Sequence, residues 1–227
     1  MKLVTLGTGS SGNCYILSNN SGSIILDCGL PFNEITCNEN FCGFANINFV
    51  FTSHQHKDHS RALKDFKVSG VPVLSYENID LKSKPLRYGS WFVQPFPVLH
   101  NVENFGLLIK DLETDTIICY CTDFYSMPKI ENVDYWIYEV NYDNETVEKK
   151  ALQEDSYAYT QIGFQHHNSL EQALDYFNSL ETKPKGIYVC HISLRHSNYK
   201  KIKRELKTIC DNVEILQKGD CYDIGQI

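Results

Sequence analysis

The chain lacks long apolar runs, an excess of positive charge and low-complexity linkers. None of its apolar stretches approaches the roughly 20 residues that a membrane-spanning helix requires. Its 227 residues include 28 acidic and 21 basic side chains, so the formal net charge of -7 does not favour a polyanion at long range. Met1-Lys2-Leu3 leads directly into strand-like sequence instead of a secretory leader. We therefore predict a cytoplasmic protein with no membrane partner, in which any phosphate ligand needs local positive charge.

No internal repeat and no Pro/Gly/Ser-rich segment divides the sequence, so residues 1–227 are expected to form one domain. Short β-branched or aromatic runs predict strands at residues 2–6, 14–18, 23–27, 48–52, 71–74, 91–99, 105–110, 116–120 and 134–139. Apolar periodicity predicts helices at residues 58–66, 169–180 and 199–210, and the polar segment 144–158 is expected to be a helix followed by a connector. This order is mixed α and β, with enough strands for two sheets.

A glycine-rich loop, Gly7-Thr-Gly-Ser-Ser-Gly12, follows the first predicted strand and matches the dinucleotide pattern G-x-G-x-x-G. That pattern requires a helix directly after the glycines. Residues 13–27 are instead typical of a β-hairpin. We interpret the loop as a tight turn that allows another backbone segment to approach.

The most informative segment is His54-Gln-His56-Lys-Asp58-His59, which places four potential metal ligands within six residues after an apolar strand. His54 and His56 can converge on one metal from an extended loop, and Asp58 and His59 can face a second metal. A single histidine is usually a packing or surface residue, but three histidines and an aspartate at this spacing favour a metal site.

Further candidate ligands follow other buried runs. His100, Asp123 and His191 each come directly after a predicted strand, where loops of a sheet scaffold carry binding residues. Each of them alone could equally be a capping or turn residue. Asp27 also ends a predicted strand and is suited to accept the free ring N–H of a metal-bound histidine.

These motifs together resemble the metallo-β-lactamase superfamily over residues 1 to about 200. The matching segments are 6–13, 26–29, 52–59, His100, Thr122-Asp123 and residues 190–193. Within the superfamily, the glycine loop and His100 followed by Asn104-Phe-Gly106 resemble the YycJ-like branch of DNA exonucleases and its phage-encoded relatives. His191-Ile-Ser-Leu-Arg195 is similar to the last motif of ribonuclease Z.

The resemblance implies an α+β fold, the αββα four-layer sandwich, with two divalent metal ions, zinc or manganese, between the sheets. The implied ligands are His54, His56 and His100 for the first metal, Asp58, His59 and His191 for the second, and Asp123 as the bridge. Of the pair His166-His167, His167 resembles the catalytic histidine that faces the phosphate, although the adjacent His166 leaves the choice open.

The remaining residues of the motifs have less defined roles. Asp58 is also expected to orient the attacking hydroxide, and Ser193 and Arg195 to contact a phosphate oxygen, with a surface ion pair as the alternative for Arg195. Asn101 departs from the branch, which often has aspartate after the metal histidine. Glu139 belongs to a Glu-x-Asn stretch that resembles this branch, but the sequence assigns it no role.

The sequence therefore predicts a binuclear phosphodiester hydrolase, first of all a nuclease acting on nucleic acid. One alternative is a phosphodiesterase for cyclic mononucleotides, of the phage anti-Pycsar type, because a small ligand needs no extended basic groove. Two others are a catalytically inactive metal-binding scaffold and an enzyme for thioesters or lactams. A homodimer is a further possibility. Tyr15, Phe124, Tyr125 or Tyr157 could stack a nucleobase, with core packing as the alternative for each.

Overall fold

The computed structural model describes residues 1–81, 85–154 and 166–225. Tyr157 and residues 155–158 of the predicted connector lie outside the described residues. The described strands are β1 (Lys2–Gly7), β2 (Cys14–Asn19), β3 (Gly22–Leu26), β4 (Ile47–Thr52), β5 (Val73–Ser75), β6 (Leu86–Tyr88), β7 (Trp91–Val98), β8 (Asn104–Asp111), β9 (Thr116–Cys121), β10 (Tyr135–Glu139), β11 (Gly186–Cys190), β12 (Val213–Ile215) and β13 (Cys221–Asp223).

The described helices are α1 (Phe32–Thr36), α2 (Lys57–Ser60), α3 (Leu63–Ser69), α4 (Asn144–Glu154), α5 (Leu170–Ser179) and α6 (Tyr199–Leu206), with a 3-10 turn at Phe44–Asn46. Among the described residues, no helix is long and apolar enough to cross a membrane.

The strands form two mixed sheets. The first has the order β13-β1-β2-β3-β4-β5, and the second has the order β12-β11-β10-β9-β8-β7-β6. The predicted hairpin is confirmed, since β2 and β3 pair antiparallel with Asn19 opposite Gly22. In the second sheet, β9, β10, β11 and β12 are parallel neighbours, so their carboxyl ends lie at one edge.

Three apolar clusters hold the layers together. The central cluster lies between the sheets and includes Tyr15, Phe51 and Tyr120, whose side chains are fully buried. A second cluster covers the outer face of the second sheet with α5 and α6, and a third covers the outer face of the first sheet with α1 and α3. This order of layers confirms the predicted αββα sandwich.

The helix predicted at residues 58–66 is wrong as a single element, because the chain forms α2 and α3 instead. In a continuous helix the N–H of Ala62 would donate to the carbonyl of Asp58. Here the Asp58 carbonyl accepts from the backbone N–H of Asn13 (2.7 Å), and Ala62 donates to the carbonyl of Cys28 (2.9 Å). These two long-range hydrogen bonds break the helix and anchor the histidine-rich segment to the first sheet.

The glycine loop allows a close backbone approach, as predicted. A Cβ atom at Gly12 would lie 2.8 Å from the carbonyl oxygen of Gly29. Gly29 in turn has no room for a side chain, because its Cβ would lie 1.7 Å from the carbonyl oxygen of Asp58. The loops after β1, β3 and β4 are thus packed backbone against backbone, which fixes the start of α2.

Helix α5 begins with a capping box that offers a test of local stability. Ser169 Oγ accepts from the N–H of Gln172 (3.1 Å), and the Gln172 side chain accepts from the N–H of Ser169 (2.9 Å). Exchanging Ser169 for alanine is expected to lower the free energy of unfolding by about 1 kcal/mol. Thermal unfolding should show this as a Tm decrease of about 2–4 °C. Ser179→Ala, at the other end of α5, is the control and should shift Tm less; equal shifts would contradict the capping assignment.

Candidate metal centre

The candidate ligands meet where strands of both sheets end. The segment with His54, His56, Asp58 and His59 follows β4 of the first sheet, and Asp27 follows β3. From the second sheet come the residues after β7, β9 and β11, which are His100, Asp123 and His191. The structure brings all seven predicted metal ligands together in two groups that share Asp123.

The first group consists of His54, His56, His100 and Asp123, whose ligand atoms lie within 4.8 Å of one another. Nε2 of His54 lies 2.9 Å from Nδ1 of His56, and Nε2 of His100 lies 3.4 Å from the same Nδ1. Oδ2 of Asp123 lies 3.6 Å from Nε2 of His54. Three ring nitrogens and one carboxylate oxygen therefore surround one point, as in a divalent metal site.

The second group consists of Asp58, His59, Asp123 and His191 and meets the same 4.8 Å limit. Nε2 of His59 lies 3.5 Å from Oδ2 of Asp58 and 3.4 Å from Oδ2 of Asp123. Nε2 of His191 lies 3.6 Å from Oδ2 of Asp58. Oδ2 of Asp123 therefore faces both groups, and the two groups share this carboxylate.

The donor set fits divalent metal ions. Nε2 of His191 is buried and has no hydrogen-bond partner among the residues that the structure describes. An unpaired buried nitrogen is costly unless something such as a cation satisfies it. Burial lowers the pKa of His54 to about 2, which keeps its imidazole in the neutral form that binds metals.

The carboxylates make the second group a place where positive charge is favoured. Burial opposes a charged imidazole, but Asp123, Asp58 and Glu139 together raise the pKa of His191 to about 10. Burial also opposes the charged form of Asp123, yet His191 and His59 hold its pKa well below the usual range. Imidazole nitrogens combined with carboxylate oxygens are common ligands of divalent metal ions in proteins.

Asp27 lies behind the histidines and orients two of them. His59 Nδ1 donates to Oδ2 of Asp27 at 2.6 Å, as expected for this residue, so Nε2 of His59 faces the ligand group. The hydroxyl of Ser53 donates to Asp27 (3.0 Å) and lies 3.0 Å from His54 Nδ1. The backbone N–H of Ser53 (2.7 Å) and the hydroxyl of Tyr120 (2.6 Å) also donate to this carboxylate. Asp27 therefore fixes His59 directly and His54 through Ser53.

Glu139, to which the sequence assigned no role, is part of a third group with Asp123, His167 and His191. Its buried carboxylate Oε1 accepts from His167 Nδ1 at 2.7 Å and lies 3.0 Å from His191 Nδ1. Burial opposes the protonated form of His167, but the carboxylate of Glu139 raises the pKa of His167 above its ordinary value. Glu139 is the last residue of the buried strand β10, and this position is the signal that could have identified it in the sequence. Asp27 and Asp123 are identified in a similar way, because each comes just after a buried strand.

The pair His166-His167 divides its contacts between the two groups. His167 stacks on His191 with ring centroids 5.3 Å apart and planes at 21°. His166 contributes its backbone carbonyl, which accepts from His100 Nδ1 at 3.0 Å and turns Nε2 of His100 towards the first group. The side chain that reaches Glu139 is therefore that of His167.

Three site residues adopt the left-handed backbone conformation that side chains rarely tolerate. The φ angles are 56° at Asp27, 51° at Asp123 and 48° at His191. Each of them follows a strand, where a left-handed residue turns the chain sharply. Strain of this kind is concentrated at functional sites.

Ser193 and Arg195 lie on the wall of an adjacent pocket of about 870 Å³. His167 and His191 also line this pocket, which therefore opens onto the second ligand group. Its other walls carry the glycine loop with Ser10 and Ser11, and the cations Arg61 and Lys218. Lys218 forms an ion pair with Glu34 (2.5 Å), which also lines the pocket, so its charge is offset there and Arg61 and Arg195 remain as basic side chains of the pocket wall.

No family model matches the chain. The curated exodeoxyribonuclease WalJ of Streptococcus pneumoniae is 25% identical over 243 aligned positions, covering 88% of this chain and 84% of that protein. The metallo-β-lactamase fold protein YhfI of Bacillus subtilis superposes with a TM-score of 0.71 at 17% identity, covering 97% of this chain and 98% of YhfI. The short form of human tRNase Z superposes over 100% of both chains with a TM-score of 0.65 and 14% identity.

Proposed function

We propose that this chain, which has the metallo-β-lactamase fold and is a metal-dependent hydrolase, cleaves phosphodiester bonds in nucleic acid with two divalent metal ions. The observation that carries the proposal is the pair of ligand groups that share the carboxylate of Asp123. Zinc and manganese are the proposed ions. His54, His56 and His100 would hold one ion, Asp58, His59 and His191 would hold the other, and Asp123 would be shared by both.

The chemistry can be assigned to particular residues of the chain. Bound divalent ions supply a water of lowered pKa and neutralise charge on the phosphate. Asp58, at the edge of the second group and less buried than its neighbours, orients the attacking oxygen. His167 donates a proton to the leaving oxygen from Nε2, because its Nδ1 is hydrogen-bonded to Glu139. Glu139 holds that imidazole in place.

Nucleic acid is the proposed substrate for two reasons. The curated relative is an exodeoxyribonuclease, and one protein with the same fold is a tRNase Z. Arg61, Ser193 and Arg195 line the pocket beside the site, where they can contact phosphates that flank the scissile one. A cyclic mononucleotide is the second candidate, since the net charge of -7 disfavours a long polyanion and the pocket can hold one nucleotide. The homodimer and the cytoplasmic location stay predictions from the sequence.

The proposal is tested by one turnover assay after metal removal and reloading. Protein stripped with EDTA should be inactive, and zinc or manganese should restore cleavage of end-labelled duplex DNA or structured RNA. His56→Ala, assayed with the same metals, is the blank because it loses one ligand of the first group. Turnover of 3′,5′-cyclic mononucleotides alone would favour the second candidate. Equal turnover by His56→Ala would contradict the proposed metal site, and no turnover of any substrate would contradict a phosphodiester hydrolase.

A further inference from the structure

The rim of the site near His100 carries exposed apolar side chains. Tyr125 is 39% exposed and Leu99 is 54% exposed, although both follow strands that end at the ligand groups. Tyr125 is two residues beyond Asp123, so the two Cα atoms are at most about 7 Å apart. The opposite rim is the pocket with Arg61 and Ser193, and Tyr125 does not line it. The two sides of the site are therefore chemically different.

The backbone around Tyr125 is firmly held. Its N–H donates to the carbonyl of Leu99 at 3.0 Å, and Leu99 donates to the carbonyl of Ser126 at 2.9 Å. Its carbonyl accepts from Gln172 Nε2 of α5 at 3.3 Å. The preceding residue, Phe124, is buried in the core. A fixed backbone with a partly exposed ring is suited to binding a flat ligand, since little freedom is lost on binding.

Rings connect Tyr125 to the first ligand group. The centroid of its ring lies 6.4 Å from that of His166, with the planes at 62°. The ring of His166 lies 6.0 Å from that of His100. The rings of Tyr125 and His166 thus form a row from the exposed rim to His100, a proposed metal ligand. We name these two rings the aromatic ledge.

We infer that Tyr125 stacks on an unpaired nucleobase of the nucleotide next to the scissile phosphate, an inference that rests on the proposed function. A phosphate held at the ligand groups has its own sugar and base within a few ångströms, and the ledge offers that base an aromatic face. Stacking tolerates any base, because every base has a π face. Of the other aromatic residues considered from the sequence, Tyr15 and Phe124 are buried core residues, and Tyr157 lies outside the described residues.

The variants Tyr125→Ala, Tyr125→Phe and Tyr125→Trp test the inference with single-stranded oligonucleotides. Loss of the ring is expected to raise KM about tenfold with little change in kcat, whereas phenylalanine and tryptophan should retain wild-type values. Phe92→Ala is the matched control. Phe92 is 37% exposed but lies at the far end of β7 from His100, and its removal should leave KM unchanged.

Substrates with one abasic residue identify the base that is stacked. The abasic residue is placed on either side of the scissile phosphate in turn. On the abasic substrate that lacks the stacked base, wild type and Tyr125→Ala should have equal KM, because neither protein can form the stacking contact. If Tyr125→Ala has the same penalty on both abasic substrates as on the intact one, or no penalty on any, the inference is wrong.

A binding measurement separates this inference from the proposed function. An oligonucleotide containing 2-aminopurine should lose fluorescence on binding to wild type and to Tyr125→Phe but not to Tyr125→Ala. Quenching that depends on Tyr125 without metal-dependent turnover would reject the nuclease and retain the stacking site. Turnover with quenching that survives in Tyr125→Ala would reject the stacking site and retain the nuclease.

Discussion

Exchange of Asp123 for asparagine is expected to reduce hydrolysis at least about 10³-fold, since loss of one preorganised charge-stabilising group already costs 10²–10³-fold in enzymes. Oδ2 of Asp123 lies 3.6 Å from Nε2 of His54 and 3.4 Å from Nε2 of His59, so one substitution affects both ligand groups. Asparagine keeps the shape of the side chain but removes its charge. It also tolerates the left-handed backbone at this position, where φ is 51°.

Metal content should fall with activity in this variant. Elemental analysis of the reloaded wild type is expected to give two ions per chain, and Asp123→Asn should retain no more than one. Asp115→Asn is the matched control, because Asp115 is also left-handed, with φ of 57°, but lies in an exposed turn. A variant Asp123→Asn with full metal content and full activity would contradict the bridging assignment.

Removal of the His167 imidazole gives the second large effect. His167→Ala is expected to lower kcat by about 10²–10⁴-fold, the usual contribution of a general acid. Metal content should stay at the wild-type value, since His167 is hydrogen-bonded to Glu139 and is not one of the seven proposed ligands. This combination distinguishes a proton donor from a metal ligand.

Two further variants refine this prediction. His166→Ala should retain most of kcat, because the backbone carbonyl that holds His100 is unaffected by the substitution. Glu139→Gln should have an intermediate loss of about 10–100-fold, as is typical when a group that orients a site residue is removed. Unfolding temperatures of all variants should be compared with wild type. A larger loss in His166→Ala than in His167→Ala would show that the roles of the two histidines are reversed.

Much of the site could be predicted because its residues either lie close together in the sequence or follow buried strands. The segment from His54 to His59 carries its own metal-site spacing, and His100, Asp123 and His191 follow runs whose apolar pattern predicts strands. Asp27 could be assigned in the same way, and the structure places it on His59. The αββα layers follow from the number and order of strands together with the resemblance.

What could not be predicted depends on contacts between distant segments. The break between α2 and α3 results from hydrogen bonds of Asp58 and Ala62 to Asn13 and Cys28, which no local pattern encodes. The assignment of His167 rather than His166 to Glu139 depends on how residues from β10 and the start of α5 meet. The exposure of Tyr125, next to the buried Phe124, also requires the packed structure.

The division of the ligands between the sheets has a consequence for folding kinetics. Each ligand group takes two residues from the segment after β4 of the first sheet and two from strand ends of the second sheet. His59 and His191, which belong to one group, are far apart in sequence, and contacts of such separation form slowly. Neither group therefore exists until the two sheets have packed, and metal uptake can serve as a kinetic marker for completed folding. Once bound, an ion joins the two sheets, so chelation should speed unfolding and not only stop the chemistry.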